Sequence, residues 1–176
     1  QEQLALALQL NSPDLQEVLP QLAGSLQVKA DVQGAKQQPA INVELQGTDI
    51  AYAGNRIERL AGRAQGVWKE QAAIEAELQA KGLQLGETRI VQTTARLQGN
   101  PANHTLTLQA DSKEDQLALE LTGKKDGEDW TGELRHLQLQ AADIGHWRQH
   151  KAAKLTLSAQ GARIEPLCVQ TNQASL

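Results

Sequence analysis

His146 and His150 stand four residues apart in HWRQH, a spacing that would set both imidazoles on one helix face and suit a metal ion. The Glu that follows the first His in a zinc-protease helix is missing, however, and no third ligand stands in the local pattern. The pair reads as solvated surface histidine. Asp111-Ser-Lys-Glu-Asp and Asp126-Gly-Glu-Asp gather carboxylates without the ligand spacing of a calcium loop, so both read as charged turns. His104 and His136 are isolated, and Asn103-His-Thr spells a glycosylation acceptor that reads as chance. Cys168 is the one cysteine, so no internal bridge can form; in strand pattern it reads as a small buried hydrophobe, free to pair only with a cysteine outside the chain. No Gly-rich phosphate loop, no GxSxG and no Cys/His pairing occurs. Every reactive side chain lacks a companion, so the sequence assigns no catalytic residue, no cofactor and no metal, and the chain reads as not an enzyme.

The elements that carry these residues are written in period two. Leu4, Leu6, Leu8 and Leu10 alternate with Ala5, Ala7 and Gln9; Leu26, Val28, Ala30 and Val32 alternate with Gln27, Lys29 and Asp31; Ile41, Val43 and Leu45 with Asn42 and Glu44. The same pattern predicts a Gly-interrupted strand holding Ala64 and Trp68. It continues through Ile74–Ala80, Val91–Leu97, Leu106–Ala110, Leu117–Leu121, Trp130–Leu134, Leu137–Leu139 and Leu155–Ala159. Successive strand side chains point to opposite faces, so each segment makes one apolar and one wet face, as in an antiparallel sheet with a single buried side. Turn signals divide the strands at Gly34 to Pro39, Gly47–Asp49, Gly54–Asn55, Lys81–Gly82, Gly99–Pro101, Asp111–Asp115 and Lys124–Asp129. Ten or more short strands make the chain all-β.

One stretch returns. Leu8–Gly34 aligns without a gap on the residues from Leu137, so that Asp14 meets Asp143, Leu15 meets Ile144, Val18 meets Trp147, and Leu26 and Val28 meet Leu155 and Leu157. A unit recurring at a constant offset marks a stacked repeat architecture. Repeats starting near residues 8 and 137 within one 1–176 segment suggest a piece of a longer array, both of whose ends interrupt a unit. Between its two strands each copy has an insert that reads as a short helix. In the first, Ser12 would cap, Pro13 would take the first helical position, and Leu15, Val18, Leu19 and Leu22 would share a face until Pro20 ends it. In the second, Ala141–His150, Ile144 and Trp147 fall at i, i+3.

Composition narrows the use of such a sheet. The 176 residues suit one domain; the net charge of −4, with Lys and Arg scattered, offers no footprint for nucleic acid. Hydrophobic residues make up 40%, yet Phe and Met are absent and aromatics are 2%, so the apolar face is Leu, Ala, Val and Ile. No apolar run reaches the ~20 residues of a membrane span, and no signal peptide opens the chain; a targeting segment would lie outside it. Two small helical plugs could not cover ten strands. The face is therefore either folded on itself, as a closed β-sandwich, or free for another use. An aliphatic trough suits acyl chains, whose methylenes each gain ~0.8 kcal/mol on leaving water.

The order of these motifs resembles a known family. DLQEVLPQLAGSLQVKADVQG followed by INVELQGTDIAY resembles the recurring unit of the TamB family and the wider AsmA-like proteins, and WTGELRHLQLQAADIGHW with KLTLSAQGARIEPLCV resembles a characteristic middle stretch of it. The resemblance covers nearly the whole chain. It implies an elongated antiparallel-rich sheet curled into an open, taco-like groove, apolar inside and polar outside. It also implies a periplasmic segment of an inner-membrane-anchored protein of the Gram-negative envelope, reaching a barrel partner, TamA, in the outer membrane. The implied function is transport of phospholipid between the membranes and a part in assembling outer-membrane proteins; the implied partners are phospholipid acyl chains, adjacent repeats of the same chain, and TamA. The family carries no catalytic residues over. The expected groove lining is Leu26, Val28, Val32, Ile41, Val43, Leu45, Leu106, Leu108, Leu117, Leu119, Leu121, Leu155 and Leu157. The alternative use of the sheet is a scaffold that holds nascent outer-membrane strands at its open edges.

Overall fold

Alternating strands joined by short turns pair most readily with their sequence neighbours, and from β1 to β9 the result is a meander. In the computed structural model, which describes residues 2–67, 72–100, 102–159 and 161–171, the chain is one 13-stranded antiparallel sheet. The strands are β1 (Gln3–Ser12), β2 (Leu22–Ala35), β3 (Ala40–Tyr52), β4 (Asn55–Val67), β5 (Ile74–Leu85), β6 (Thr88–Asn100), β7 (Asn103–Asp111), β8 (Gln116–Asp126) and β9 (Asp129–Ala141). Four short ones follow: β10 (Gly145–Gln149), β11 (Ala153–Ser158), β12 (Gly161–Ile164) and β13 (Val169–Thr171). From β1 to β9 each strand pairs with the next. Turn chemistry sets the hairpins: between β3 and β4, Ala53 (φ 49°) and Gly54 (φ 81°) both take the left-handed conformation that a two-residue primed turn demands.

The sheet is not closed. β1 pairs only with β2, and at the other end β9 divides its free edge between β10, against Gln138–Ala141, and β11, against Trp130–Leu134. The Gln149 side chain bridges that fork, donating to the carbonyls of Leu134 (2.7 Å) and Lys151 (2.8 Å). No second layer lies on either face among the described residues. The main contacts of each strand are with its pairing partners, side chains reach one strand farther at Arg89–Glu58 and Trp130–His104, and the one non-strand element in the contact pattern, a 3₁₀ turn at Leu15–Glu17, rests on β2. Among the described residues the buried apolar side chains are correspondingly few: Leu15, Ala80 and Ala153. A closed β-sandwich is thereby excluded for the described residues, and the curled open groove stands.

Several expectations are corrected. The first insert is one 3₁₀ turn, and its N-cap is Asp14, whose carboxylate accepts from the Gln16 N–H at 2.9 Å; Ser12 ends β1 instead and Pro13 precedes the cap. Of its apolar face only Leu15 is buried, whereas Val18 and Leu19 are exposed and Leu22 begins β2. The second insert is no helix. Ala141 pairs with Gly145 around a three-residue loop, Gly145 takes φ 78°, and Gly145–Gln149 runs back as a strand. A left-handed residue closing such a loop is the usual G1-bulge hairpin, and this copy has no proline to block strand pairing. Trp130–Leu134 and Leu137–Leu139 form one strand, in which an extra residue at Arg135–His136 re-phases the alternation. Gly47–Asp49 and Lys81–Gly82 lie inside β3 and β5 rather than at turns. Cys168 is exposed, in the link between β12 and β13. Trp68 lies outside the described residues.

Candidate functional site

Residues paired across an antiparallel ladder share a face, so the register states which side chains form one surface. Leu10, Val28, Leu45, Gly62, Leu78, Ala95, Leu108, Leu119 and Leu137 make one unbroken file across β1 to β9. Beside it runs a second: Leu8, Ala30, Val43, Ala64, Ala76, Leu97, Leu106, Leu121 and Leu134. Val32 and Ile41 flank these files on one side, Leu26 and Leu117 on the other, and Leu155 and Leu157 extend the face onto β11 opposite Gly132 and Trp130. The register thus sets all thirteen expected lining residues on one face. The face is apolar and uncovered: Leu6, Leu8 and Leu10 are each more than half exposed.

The face is wider than strict alternation indicates. A line of irregular residues crosses the sheet at Asp49 (φ 53°), Glu58, Gly82 (φ 62°) and Val91, where the pairing skips one position on each strand. Beyond it the inward set changes parity. A Cβ built on Gly47 would sit 2.6 Å from Ile50 Cδ1 and 3.4 Å from Leu60 Cβ, so Ile50 faces the same way as Leu60. Its partners in register, Ile57, Leu83 and Ile90, follow it onto that face. Val91, placed in the alternation by the sequence, falls at the break, where it is skipped by the pairing and about half exposed. Period-two reasoning missed these four because a glycine and a left-handed aspartate inside strands looked like turns; an isolated Gly in strand pattern is also the signal of a bulge.

Within the two files the side chains are uneven in size. Gly62, Ala64, Ala76 and Ala95 form the floor of a depression of about 350 Å³, walled by Val43, Leu45, Leu78, Leu97 and Leu106 and bounded by Arg63 and Glu77. A Cβ on Gly62 would already lie 3.1 Å from Leu78 Cδ1. Small residues here leave room for an apolar guest that larger ones would fill.

The opposite face is a ladder of charge and amide. Lys29, Glu44, Arg63, Glu77 and Arg96 are consecutive cross-strand partners of alternating sign. Glu77 Oε2 meets Arg63 Nη2 at 3.1 Å and Arg96 Nε at 3.2 Å, and its other oxygen accepts from the Gln79 amide. The Gln79 hydrogen bond first, and then Arg96, hold its carboxyl below the usual carboxylate range. Along the break line Arg89 binds Glu58 at 3.0 Å and Arg56 binds Asp49, which raises the Arg56 guanidinium further above its ordinary value. These pairs are largely exposed and serve to keep the outer face wet and in register rather than to stabilise it strongly.

The histidines show no metal geometry: among the described residues no group of three His, Cys, Asp or Glu is placed to hold an ion. His146 contacts Gln138, and His104 and Trp130, which is placed on β9 with its indole Nε1 donating to His104 Nε2 at 2.8 Å, form a pair that sequence spacing did not reveal. No helix among the described residues is long and apolar enough to cross a membrane. No curated protein and no solved structure matches the chain. A protein-family model described as "TamB, N-terminal domain" matches residues 1–176, where the Leu-Cys stretch had suggested the family's middle.

Proposed function

The chain belongs to the TamB family, and on that premise we propose that it is a non-enzymatic stretch of a periplasm-spanning lipid conduit, whose apolar face shields phospholipid acyl chains in transit between inner and outer membranes. Family members work in the TamB/TamA system, anchored in the inner membrane and spanning the periplasm. The observation that carries the reading is the unbroken apolar file from β1 to β9, on which no second layer packs among the described residues. Apolar area of that extent on a soluble chain marks an interaction surface, and an aliphatic face offers dispersion contacts and water exclusion without fixing a ligand by polar groups, which suits cargo that must slide. The thirteen lining residues, and Ile50, Ile57, Leu83 and Ile90 with them, contact the acyl chains; adjacent repeats of the same chain continue the files past β1 and β13. Leu108→Asp, in the middle of the longest file, tests this in the full-length protein. Phospholipid transfer is blocked at unchanged protein level, and unimpaired transfer would remove the main support.

A second reading has its own observation. β1 carries no charged residue from Gln3 to Ser12, and among the described residues its outer edge is unpaired, whereas natural edge strands are usually defended by charge, proline or a bulge. A scaffold for nascent outer-membrane strands, acting with TamA, would use that edge for strand addition. It predicts that Leu6→Pro, which removes a β1 N–H, harms outer-membrane protein assembly more than Leu108→Asp does.

A further inference from the structure

Every Lys, Arg, Asp, Glu and His at a regular strand position among the described residues follows the register onto the polar face, with two exceptions. His104 pairs with Gly123 in the file that also holds Gly99 and Gly132, and Lys125, two residues beyond Gly123, pairs with Trp130 on the same apolar side. The exceptions lie together. The Trp130 indole reaches back across this patch: a Cβ on Gly123 or on Gly132 would collide with its ring, and its N–H donates to His104 Nε2 at 2.8 Å. His104 Nδ1 lies 3.2 Å from the Asn100 carbonyl, so Nδ1 carries the proton and Nε2 is the acceptor. The indole is therefore held flat on a shelf of glycines, at the end of the strands where the apolar files meet solvent. Lys125 stands beside it, exposed and, among the described residues, without an ion-pair partner. Asp129, next to Trp130, takes the opposite face by register.

We propose that this patch seats the phosphate of an amphiphile whose acyl chains lie on the adjacent files through Leu106 and Leu121. This rests on the conduit reading and adds to it the place on the sheet where the phosphate is held. An amphiphile in an open groove must keep its head where the apolar face ends, and this rim holds the one strand-borne cation turned toward that face. A lysine with an apolar stem along the face and its ammonium at the water line is suited to an anionic head. Trp130 supplies a broad amphipathic wall beside it, and His104 is a positioning residue that fixes the ring. The opposite strand ends carry Ile50, Ile57, Leu83 and Ile90 on this face and, among the described residues, no cation at a regular strand position of it.

The test is equilibrium binding of three probes to the full 176-residue chain: dihexanoyl phosphatidylglycerol, dihexanoylglycerol without the phosphate, and inorganic phosphate. The phosphate-bearing lipid binds about ten-fold more tightly than the neutral one, as one charge-assisted contact provides. Lys125→Gln removes that preference without changing affinity for the neutral lipid, and Lys125→Arg keeps it. His104→Ala reduces the preference and loosens the Trp130 environment, read by its fluorescence in a variant lacking the other tryptophans. A preference that survives Lys125→Gln, or none in the parent chain, overturns the headgroup site while leaving the groove standing. Inorganic phosphate binding as tightly as the lipid overturns the lipid assignment in favour of a free-anion site. Binding of neither lipid overturns the groove reading itself, and this inference with it.

Discussion

The two faces of this sheet are built from the same strands and differ in what completes them. On the outer face each charge along the Lys29–Glu44–Arg63–Glu77–Arg96 ladder has an opposite charge across the strand, and Glu77 is bound from three sides. On the inner face the file from Leu10 to Leu137 and the file beside it meet side by side, and among the described residues no second layer covers them. The outer face is finished by the chain itself, and the inner one is not. A sheet held by its ladders and its outer pairs can leave its apolar side free, because closing a second layer is not what keeps the strands together.

That contrast can be broken from either side. The largest effect is expected from Leu108→Asp set against Gln109→Asp, its neighbour on the outer face. The first introduces a desolvated charge wherever a guest covers the file and lowers affinity for an acyl probe by at least ~100-fold; the second leaves it within about two-fold, as measured by displacement of a fluorescent fatty acid. Next is Gly62→Leu, which fills the depression between Leu45 and Leu78 and should weaken the same probe several-fold while the far-ultraviolet circular dichroism keeps its β signature.

Smaller effects belong to the outer face. Glu77→Gln leaves Arg63 and Arg96 without their shared partner and gives a small drop in Tm that shrinks at high salt, with acyl binding unchanged. The smallest is a pH dependence of fixed sign. The Glu77 carboxyl is lowered in the fold, so its contribution is fully present above the unfolded carboxylate pKa of ~4.3 and is lost as pH falls through the lower folded value. Acid titration of stability should therefore be shallower in Glu77→Gln than in the parent below about pH 4.3.

Much of this was legible in the residues. Period two located strands in the regions where β1 to β9 lie, and alternation alone put Leu26, Val28, Leu45 and Leu108 on one face, because side-chain parity in a strand needs no tertiary information. What alternation could not carry is a change of parity. Asp49 and Gly82 look like turn residues and act as left-handed steps inside strands, which turns Ile50, Ile57, Leu83 and Ile90 inward and drops Val91 from the pairing. The two copies of the repeat make the same point. They align without a gap, yet the first insert is a 3₁₀ turn between prolines while the second, with Gly145 where the first has Gln16 and Gln149 where it has Pro20, becomes β10. β11 then pairs with β9 farther down than β2 does with β1, and the sheet forks. Local φ freedom and a missing N–H decide such matters, and a hydrophobic pattern shared by both copies is blind to them. The His104–Trp130 contact was hidden for another reason: it joins residues 26 positions apart on β7 and β9, and only the register brings them together.

The most direct test of an inner face that carries lipid is site-specific photocrosslinking in living cells, with the probe at Leu108 and, on the other face of the same strand, at Gln109. Phospholipid adducts at Leu108 and none at Gln109 are the predicted result. Crosslinks from Leu108 only to the chain's own residues, or equal lipid adducts at both positions, would contradict the account.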